Sequence, residues 1–320
     1  MPDIAFGAGY YLTVWSDARN GYGYYEIYGA RVTPSGTVME PNGLLIGYGT
    51  TPYYYYPAVV FNGTNFLVAW VNGAPPYRTN GRFVNPDGSF GSDTLTLANA
   101  SNYTYRCRLA YSGTNYLVTW TEYSSITSTY SVMGQIISNS GTPIGSPFTI
   151  ADSTDYYSLS VRFAGSNYYL VAFSKRIGSV YQICGRFVNT SGQPVGSVFN
   201  ISNSSYSSCY NDLFLGTGNK FLNVWCEYRN NNYDIYGNLD VVIGIEESGL
   251  PKKFESVLKS TIVTKAIELK DREISGTIYN IAGEYIGDLV KGYFDCSRLN
   301  AGVYIIKTDN GDKYRVIKIR

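Results

Sequence analysis

The residues best placed to do chemistry recur at one position of a repeated segment. Two residues past an anchor aromatic the chain carries Asp17, Glu122 and Glu227, with Asn72 and Lys175 at the same place in the two other copies. Carboxylates from different repeats that converge at a channel mouth could hydrolyse a glycosidic bond, one as general acid and the other as base or nucleophile. Other catalytic routes are closed. The sequence has no histidine, which removes Ser-His-Asp and Cys-His catalysis and imidazole metal sites together. Because the position varies from copy to copy, it reads as a solvated loop site. The expectation is therefore a non-catalytic protein, not an enzyme, with no cofactor and no metal. The loops SDARNGYG and RNNNYDIYG, around Asp17 and Asp234, offer oxygen ligands but lack the D-x-D-x-D spacing of a calcium loop.

The elements that must position these residues are written five times over. IAFGAGYYLTVW, VVFNGTNFLVAW, LAYSGTNYLVTW, RFAGSNYYLVAF and LFLGTGNKFLNVW end on Trp15, Trp70, Trp120, Phe173 and Trp225. A spacing near fifty residues belongs to propellers and solenoids. After each anchor come a polar loop, a glycine opening a second motif (Gly29, Gly81, Gly134, Gly185, Gly237), and a hairpin turn at Gly36, Gly88, Gly141 and Gly192. A short strand then closes the unit at LLI, LTL, FTI or FNI, each repeat reading as four antiparallel strands. FLVAW and YLVTW are apolar at nearly every position, so both faces of the second strand should be covered. Blades packed between neighbours meet that condition.

The expected fold is all-β: a five-repeat β-propeller over residues 1–240 (about 1–50, 51–101, 102–153, 154–204 and 205–240). Its last four-stranded blade is incomplete, because no closing strand follows Gly237. Either the ring closes with one short sheet or further sequence, including blades, lies upstream. The absence of an export signal after Met1 favours the second alternative.

Lysine usage shifts near residue 240, from two lysines before it (Lys175, Lys220) to nine after it. Residues 241–253, with EESGLPKKF, read as a linker. Residues 254–320 read as a small Ig-like β-sandwich with strands at Thr261–Leu269, Gly276–Tyr279, Glu284–Leu289, Val303–Thr308 and Lys313–Ile319. Of the five cysteines none has C-x-x-C spacing, so most read as buried hydrophobes. Strand arithmetic in the fifth repeat allows one disulfide, Cys209 to Cys226.

GTIYNIAGEYIGDL and LNAGVYIIKTDNGDKYRVIKIR at the C-terminus resemble the type A C-terminal sorting domain of the type IX secretion system, over about residues 246–320. The features are Tyr279 and Gly283, the L-x-A-G-V-Y pattern with Leu299, Gly302 and Tyr304, the turn at Gly311, and a basic-apolar last strand with Lys318 and Arg320. The resemblance implies that the type IX machinery is a partner. It also implies a destination outside the cell or on the outer-membrane surface of a Bacteroidetes-like bacterium. The repeats likewise resemble blade repeats of secreted bacterial proteins.

Tyrosine carries the binding expectation: 33 Tyr stand against 14 Phe, and only 15% of residues are charged. The loops entering the first strand and joining the second to the third should emerge at one end of the propeller. They hold Tyr24, Tyr54, Tyr56, Tyr77, Tyr105, Tyr157, Tyr210 and Tyr233. Such rings stack on neutral glycans or extended peptides, or pack on one another. A formal net charge of +1 excludes a general nucleic-acid footprint. No apolar run is long enough to be a transmembrane segment. The leading expectation is a non-catalytic glycan- or protein-binding module; the alternatives are a secreted glycoside hydrolase using the loop carboxylates and a surface or matrix scaffold.

Overall fold

The computed structural model describes residues 2–21, 25–48, 54–72, 74–165, 167–215, 221–229, 232–240, 260–263, 266–268, 273–280, 284–309 and 313–318. It is all-β. In the first repeat β1 (Asp3–Gly7), β2 (Tyr10–Asp17), β3 (Glu26–Val32) and β4 (Leu44–Gly47) form an antiparallel sheet in chain order. The second repeat does the same with β5 (Tyr54–Phe61), β6 (Phe66–Asn72), β7 (Arg78–Val84) and β8 (Leu95–Asn99).

The third and fourth repeats share one seven-stranded sheet. It consists of β9 (Tyr103–Tyr111), β10 (Asn115–Ser124), β11 (Thr129–Ser138), β12 (Pro143–Gly165), β13 (Tyr168–Ile177), β14 (Val180–Asn189) and β15 (Pro194–Asn200). β12 is both the closing strand of the third repeat and the first strand of the fourth: it pairs with β11 up to Thr154 and with β13 from there on. The chain bends there without breaking, at Ser153, which has φ +57°. The fifth repeat has β16 (Ser208–Leu215), β17 (Phe221–Arg229) and β18 (Asn232–Asp240), with no closing strand among the described residues.

Two kinds of glycine shape each repeat. The hairpin glycines Gly36, Gly88, Gly141 and Gly192 have φ of +87° or +88°, which a side chain would strain. The motif-opening glycines are needed for close approach. A Cβ on Gly29, Gly81, Gly134 or Gly185 would lie 2.6–2.8 Å from Ile46, Leu97, Phe148 or Phe199 of the closing region of its own repeat. Gly237, whose repeat has no closing strand among the described residues, is exposed.

The sheets stack face to face as β-propeller blades do. Along β6, Phe66, Val68 and Trp70 join a core with Leu12, Val14 and Ile27 of the first repeat. Leu67, Ala69 and Val71 join another with Leu109, Val118 and Trp120 of the third. Tyr169, Val171 and Phe173 of β13 pack with Leu117 and Val132. The anchor aromatics Trp70, Trp120 and Phe173 are each packed against the preceding repeat and wholly buried. Two-sided burial therefore holds for β6, β10 and β13, but not for β2 and β17, which alternate buried and partly open positions. The outer face of the first repeat leaves Ile4 and Phe6 more than half exposed. No packing of comparable extent joins β16 back to β1 among the described residues.

Residue contacts divide the chain into two compact units. One is Met1–Leu215, Asn223–Gly237 and Ile245–Leu250; the other is Gly216–Leu222, Asn238–Gly244 and Pro251–Arg320. Residues 241–253, expected as a linker, lie outside the described residues.

The C-terminal unit contains β19 (Ser260–Val263), β20 (Ala266–Glu268), β21 (Gly276–Asn280), β22 (Tyr285–Leu289), β23 (Tyr293–Asp295), β24 (Gly302–Thr308) and β25 (Lys313–Lys318). One sheet runs β19-β25-β24-β21-β22, and β20 pairs with β23. The single strand expected at Thr261–Leu269 is thus two strands in different sheets. β23, only three residues long, carried no periodic signal. Ile267, Ile278, Leu289, Tyr304, Ile306 and Val316 form this unit's core.

If packing between repeats holds the propeller together, Trp70→Ala and Trp120→Ala should each cost about 3–5 kcal/mol. Trp15→Ala, at a ring that is only partly buried, should cost roughly half as much. Urea midpoints read the difference; equal losses at all three sites would refute the packing account.

Candidate active site

The loop carboxylates do not converge; each serves its own repeat. Trp15 Nε1 donates to Asp17 Oδ2 at 2.9 Å, Trp120 Nε1 to Glu122 Oε2 at 3.3 Å, and Trp225 Nε1 to Glu227 Oε1 at 2.7 Å. The acid two residues past the anchor accepts the proton of the indole. Where the anchor is Phe173, with no N–H to offer, Lys175 stands there instead and donates to the Asp152 carbonyl. Asn72 of the second repeat caps its own loop, accepting from Ala74 N and donating to Pro76 O, both at 3.2 Å.

Glu227 is fully buried. Burial pushes its carboxyl up, but hydrogen bonds from Trp225, Ser208, Ser204 and Arg229 outweigh this and hold it below the usual glutamate range. The Arg19 side chain, with Trp15, holds Asp17 at about 2. These are structural anchors. Among the described residues no cluster of His, Cys, Asp and Glu could hold a metal ion.

The tyrosines do gather, as pairs of packed rings. Tyr77 of the second repeat lies 4.8 Å from Tyr103 of the third, and Tyr130 lies 4.9 Å from Tyr123 and 5.8 Å from Tyr105. Tyr233 is 4.8 Å from Tyr228. Burial and its hydrogen bond with Tyr103 push the Tyr77 hydroxyl up to about 12. Tyr103, Tyr210 and Tyr233 remain half or more exposed. Tyr24 and the side chains of Tyr54 and Tyr157 lie outside the described residues.

The expected Cys209–Cys226 disulfide is not formed. Both thiols are free, and Cys209 Sγ lies 3.7 Å from the Cys226 carbonyl oxygen. The residues are neighbours whose thiols also hydrogen-bond each other, unoxidised. In the C-terminal unit, Leu299 packs on the core and Tyr304 is buried with its hydroxyl donating to Asn300 O at 3.0 Å. Gly302 pairs with Lys318, and Tyr279 with Ile305. Gly283, Gly311 and Arg320 lie outside the described residues.

Sequence reasoning missed the site at the centre. First strands β1, β5, β9, β12 and β16 surround a cavity of about 580 Å³ that takes charged residues from four of the five repeats: Asp3, Arg106, Arg108, Arg162 and Asp212. Asp3 is held by main-chain donors, Ile4 N at 2.9 Å to Oδ1 and Val59 N of the next repeat at 3.0 Å to Oδ2. Burial pushes its carboxyl up, opposed by the Arg108 charge and those two donors. Asp212 sits differently, with Leu213 N at 2.8 Å, Arg162 Nη2 at 3.5 Å and half of its side chain open.

Two of these first strands bulge, β5 at Tyr56 and β9 at Arg106. Tyr56, Arg106 and Tyr210 have φ of +53°, +34° and +53°, a conformation that side-chain residues seldom adopt and that bulges use to re-aim a side chain. Arg106 lies 5.8 Å from the Tyr56 ring centre and is electrostatically coupled to Tyr210. The one signal available from sequence was departure from the repeat: Asp3, Arg108 and Arg162 stand at positions where other repeats have alanine, valine or serine.

No family model matches the chain, and no curated protein sequence does. Among solved structures the chain is similar to an endo-arabinase from Bacteroides thetaiotaomicron. The identity is 12% and the TM-score 0.51, covering 75% of this chain and 93% of that one. It is also similar to a protein of unknown function from Dyadobacter fermentans, with 12% identity, a TM-score of 0.53, and 74% and 77% of the chains covered. The shared fold is the propeller. This corrects the expectation of a non-catalytic binding module that is not an enzyme: a glycan-cleaving protein is built on the same fold, and carboxylates face the cavity at its centre.

The anchoring role of Glu227 predicts that Glu227→Ala costs about 3 kcal/mol by chemical denaturation, since Arg229 and Trp225 lose a buried partner. Because the folded pKa is depressed, this stabilisation is present above the ordinary glutamate pKa and is lost as pH falls through the lower folded value. An unchanged midpoint at pH 7 would show that the network carries no stability.

Proposed function

We propose that the chain is an exported glycoside hydrolase whose reaction takes place in the central cavity, with Asp3 and Asp212 as the two carboxylates. The observation that carries this reading is one cavity holding two aspartates in contrasting environments. Such contrast is how paired acids divide their roles. Asp3, whose burial favours the protonated form, is the general acid that protonates the leaving oxygen. Asp212, open to solvent and facing Arg162, activates water or attacks the sugar carbon.

Similarity of fold to an endo-arabinase supports a polysaccharide substrate. So do the exposed rings of Tyr103, Tyr210 and Tyr233, which offer stacking faces to sugars. We read the five first strands around the cavity as a five-bladed ring with one strand wanting in the last blade. We read the C-terminal unit as a small Ig-like sandwich acting as a type IX sorting domain, addressed to the outer-membrane surface or beyond in a Bacteroidetes-like bacterium. Its motif residues Leu299 and Tyr304 belong to the core of that unit, and β25 lies between β19 and β24. Removing Lys313–Arg320 would therefore abolish both folding of the unit and display of a fused reporter.

The full chain should release reducing ends from arabinan, xylan or pectin. Asp3→Asn and Asp212→Asn should each lower kcat by about 10²–10⁴-fold, with little change in Tm for Asp212→Asn and a lower Tm for Asp3→Asn, whose amide N–H would meet a main-chain donor. Wild-type activity should fall as pH rises through the raised Asp3 pKa, because the acid loses its proton. Release unaffected by both substitutions, or none from any of these polysaccharides, would overturn the assignment.

A further inference from the structure

We propose that the central cavity takes an acidic glycan, and that Arg106, Arg108 and Arg162 receive the carboxylate or sulfate of one of its sugar units. The reaction it would undergo rests on the hydrolase reading above; the binding does not.

The repeats supply their own control. One residue before the anchor, the second strand pairs with Asp3 in the first repeat, Ala58 in the second, Arg108 in the third and Ser160 in the fourth. Three residues before the anchor the partners are Ala5, Val60, Ala110 and Arg162. The fold accepts alanine at both positions, so a blade does not require Arg108 or Arg162, although Arg162 also reaches the fifth repeat, 5.9 Å from the Phe214 ring centre. Arg106 occupies the bulge that holds Tyr56 in the second repeat. Only 4% of its surface is exposed.

The charge balance points the same way. Three guanidinium groups and two carboxylates line the cavity, Asp212 lies 3.5 Å from Arg162, and Asp155 also acts on Arg106. Burial and the neighbouring Arg108 hold Arg106 down at about 10, and burial favours the neutral form of Asp3. Like charges crowded in a desolvated space are relieved by an anion. Guanidinium groups match planar carboxylates and sulfates through paired N–H donors. A neutral polysaccharide offers no such group.

Affinity electrophoresis of the full chain at low salt should show retardation by polygalacturonate, which presents carboxylates, or by carrageenan, which presents sulfates. Comparing the two identifies the anion. Arabinan and xylan should retard it at least tenfold less, and 0.5 M NaCl should abolish the effect. Arg108→Ala and Arg162→Ala install the residue that sister repeats carry, so the blades should fold with near-native Tm while binding falls at least tenfold; Arg108→Lys should recover part of it. Equal retardation by neutral polysaccharides, none by either acidic one, or binding untouched in both alanine variants would overturn the proposal. Reducing-end assays on the same samples separate the two readings. Acidic glycan bound but not cut contradicts hydrolysis alone, whereas neutral glycan cut without preference contradicts the acidic substrate alone.

Discussion

The structure depends on the second strands of the second, third and fourth repeats being buried on both faces. A sheet with such a strand cannot rest one side in water, so it must be sandwiched. Phe66, Val68 and Trp70 face the first repeat while Leu67, Ala69 and Val71 face the third. That alternation turns a chain of hairpins into a stack. The anchor indole is the largest single contribution, and its one polar atom has to be satisfied. The carboxylate two residues further on does this in the first, third and fifth repeats. The acids that look most like catalysts from their spacing are committed to holding their own blades.

Radial stacking brings the first strands together, and that convergence makes a site. Asp3, Arg108 and Arg162 come from separate repeats and meet because the blades do. Asp3 is also a link between blades, since Val59 of the next repeat donates to it. The bulges at Tyr56 and Arg106 give up regular pairing beside the cavity, and Arg106 joins its lining. Where the repeats agree they build the wall, and where they differ they equip it.

Much of the fold was legible because glycine and hydrophobic spacing are local. Gly36, Gly88, Gly141 and Gly192 marked the hairpins and stand at positive φ. The motif-opening glycines were visible, but their reason was not, because Ile46 or Phe148 presses on them from a strand fifteen or so residues away. PIGSPFTIADSTDYYSLSVRFAG looked interrupted by small and polar residues, yet Ser153 lets it run on as one strand. The site was hidden for the opposite reason. The position two past the anchor recurs in every repeat, while Arg108 and Arg162 stand where other repeats carry alanine.

The central claim is that chemistry sits in the channel among the five first strands and not on the tyrosine-rich loops. A crystal structure of the Asp212→Asn variant of the full chain soaked with an oligogalacturonide tests it most directly. The account predicts a sugar unit beside Asp3 with its carboxylate against Arg108 and Arg162. An oligosaccharide seated solely on the paired rings of Tyr77, Tyr103, Tyr123 and Tyr130, with the cavity unoccupied, would contradict it.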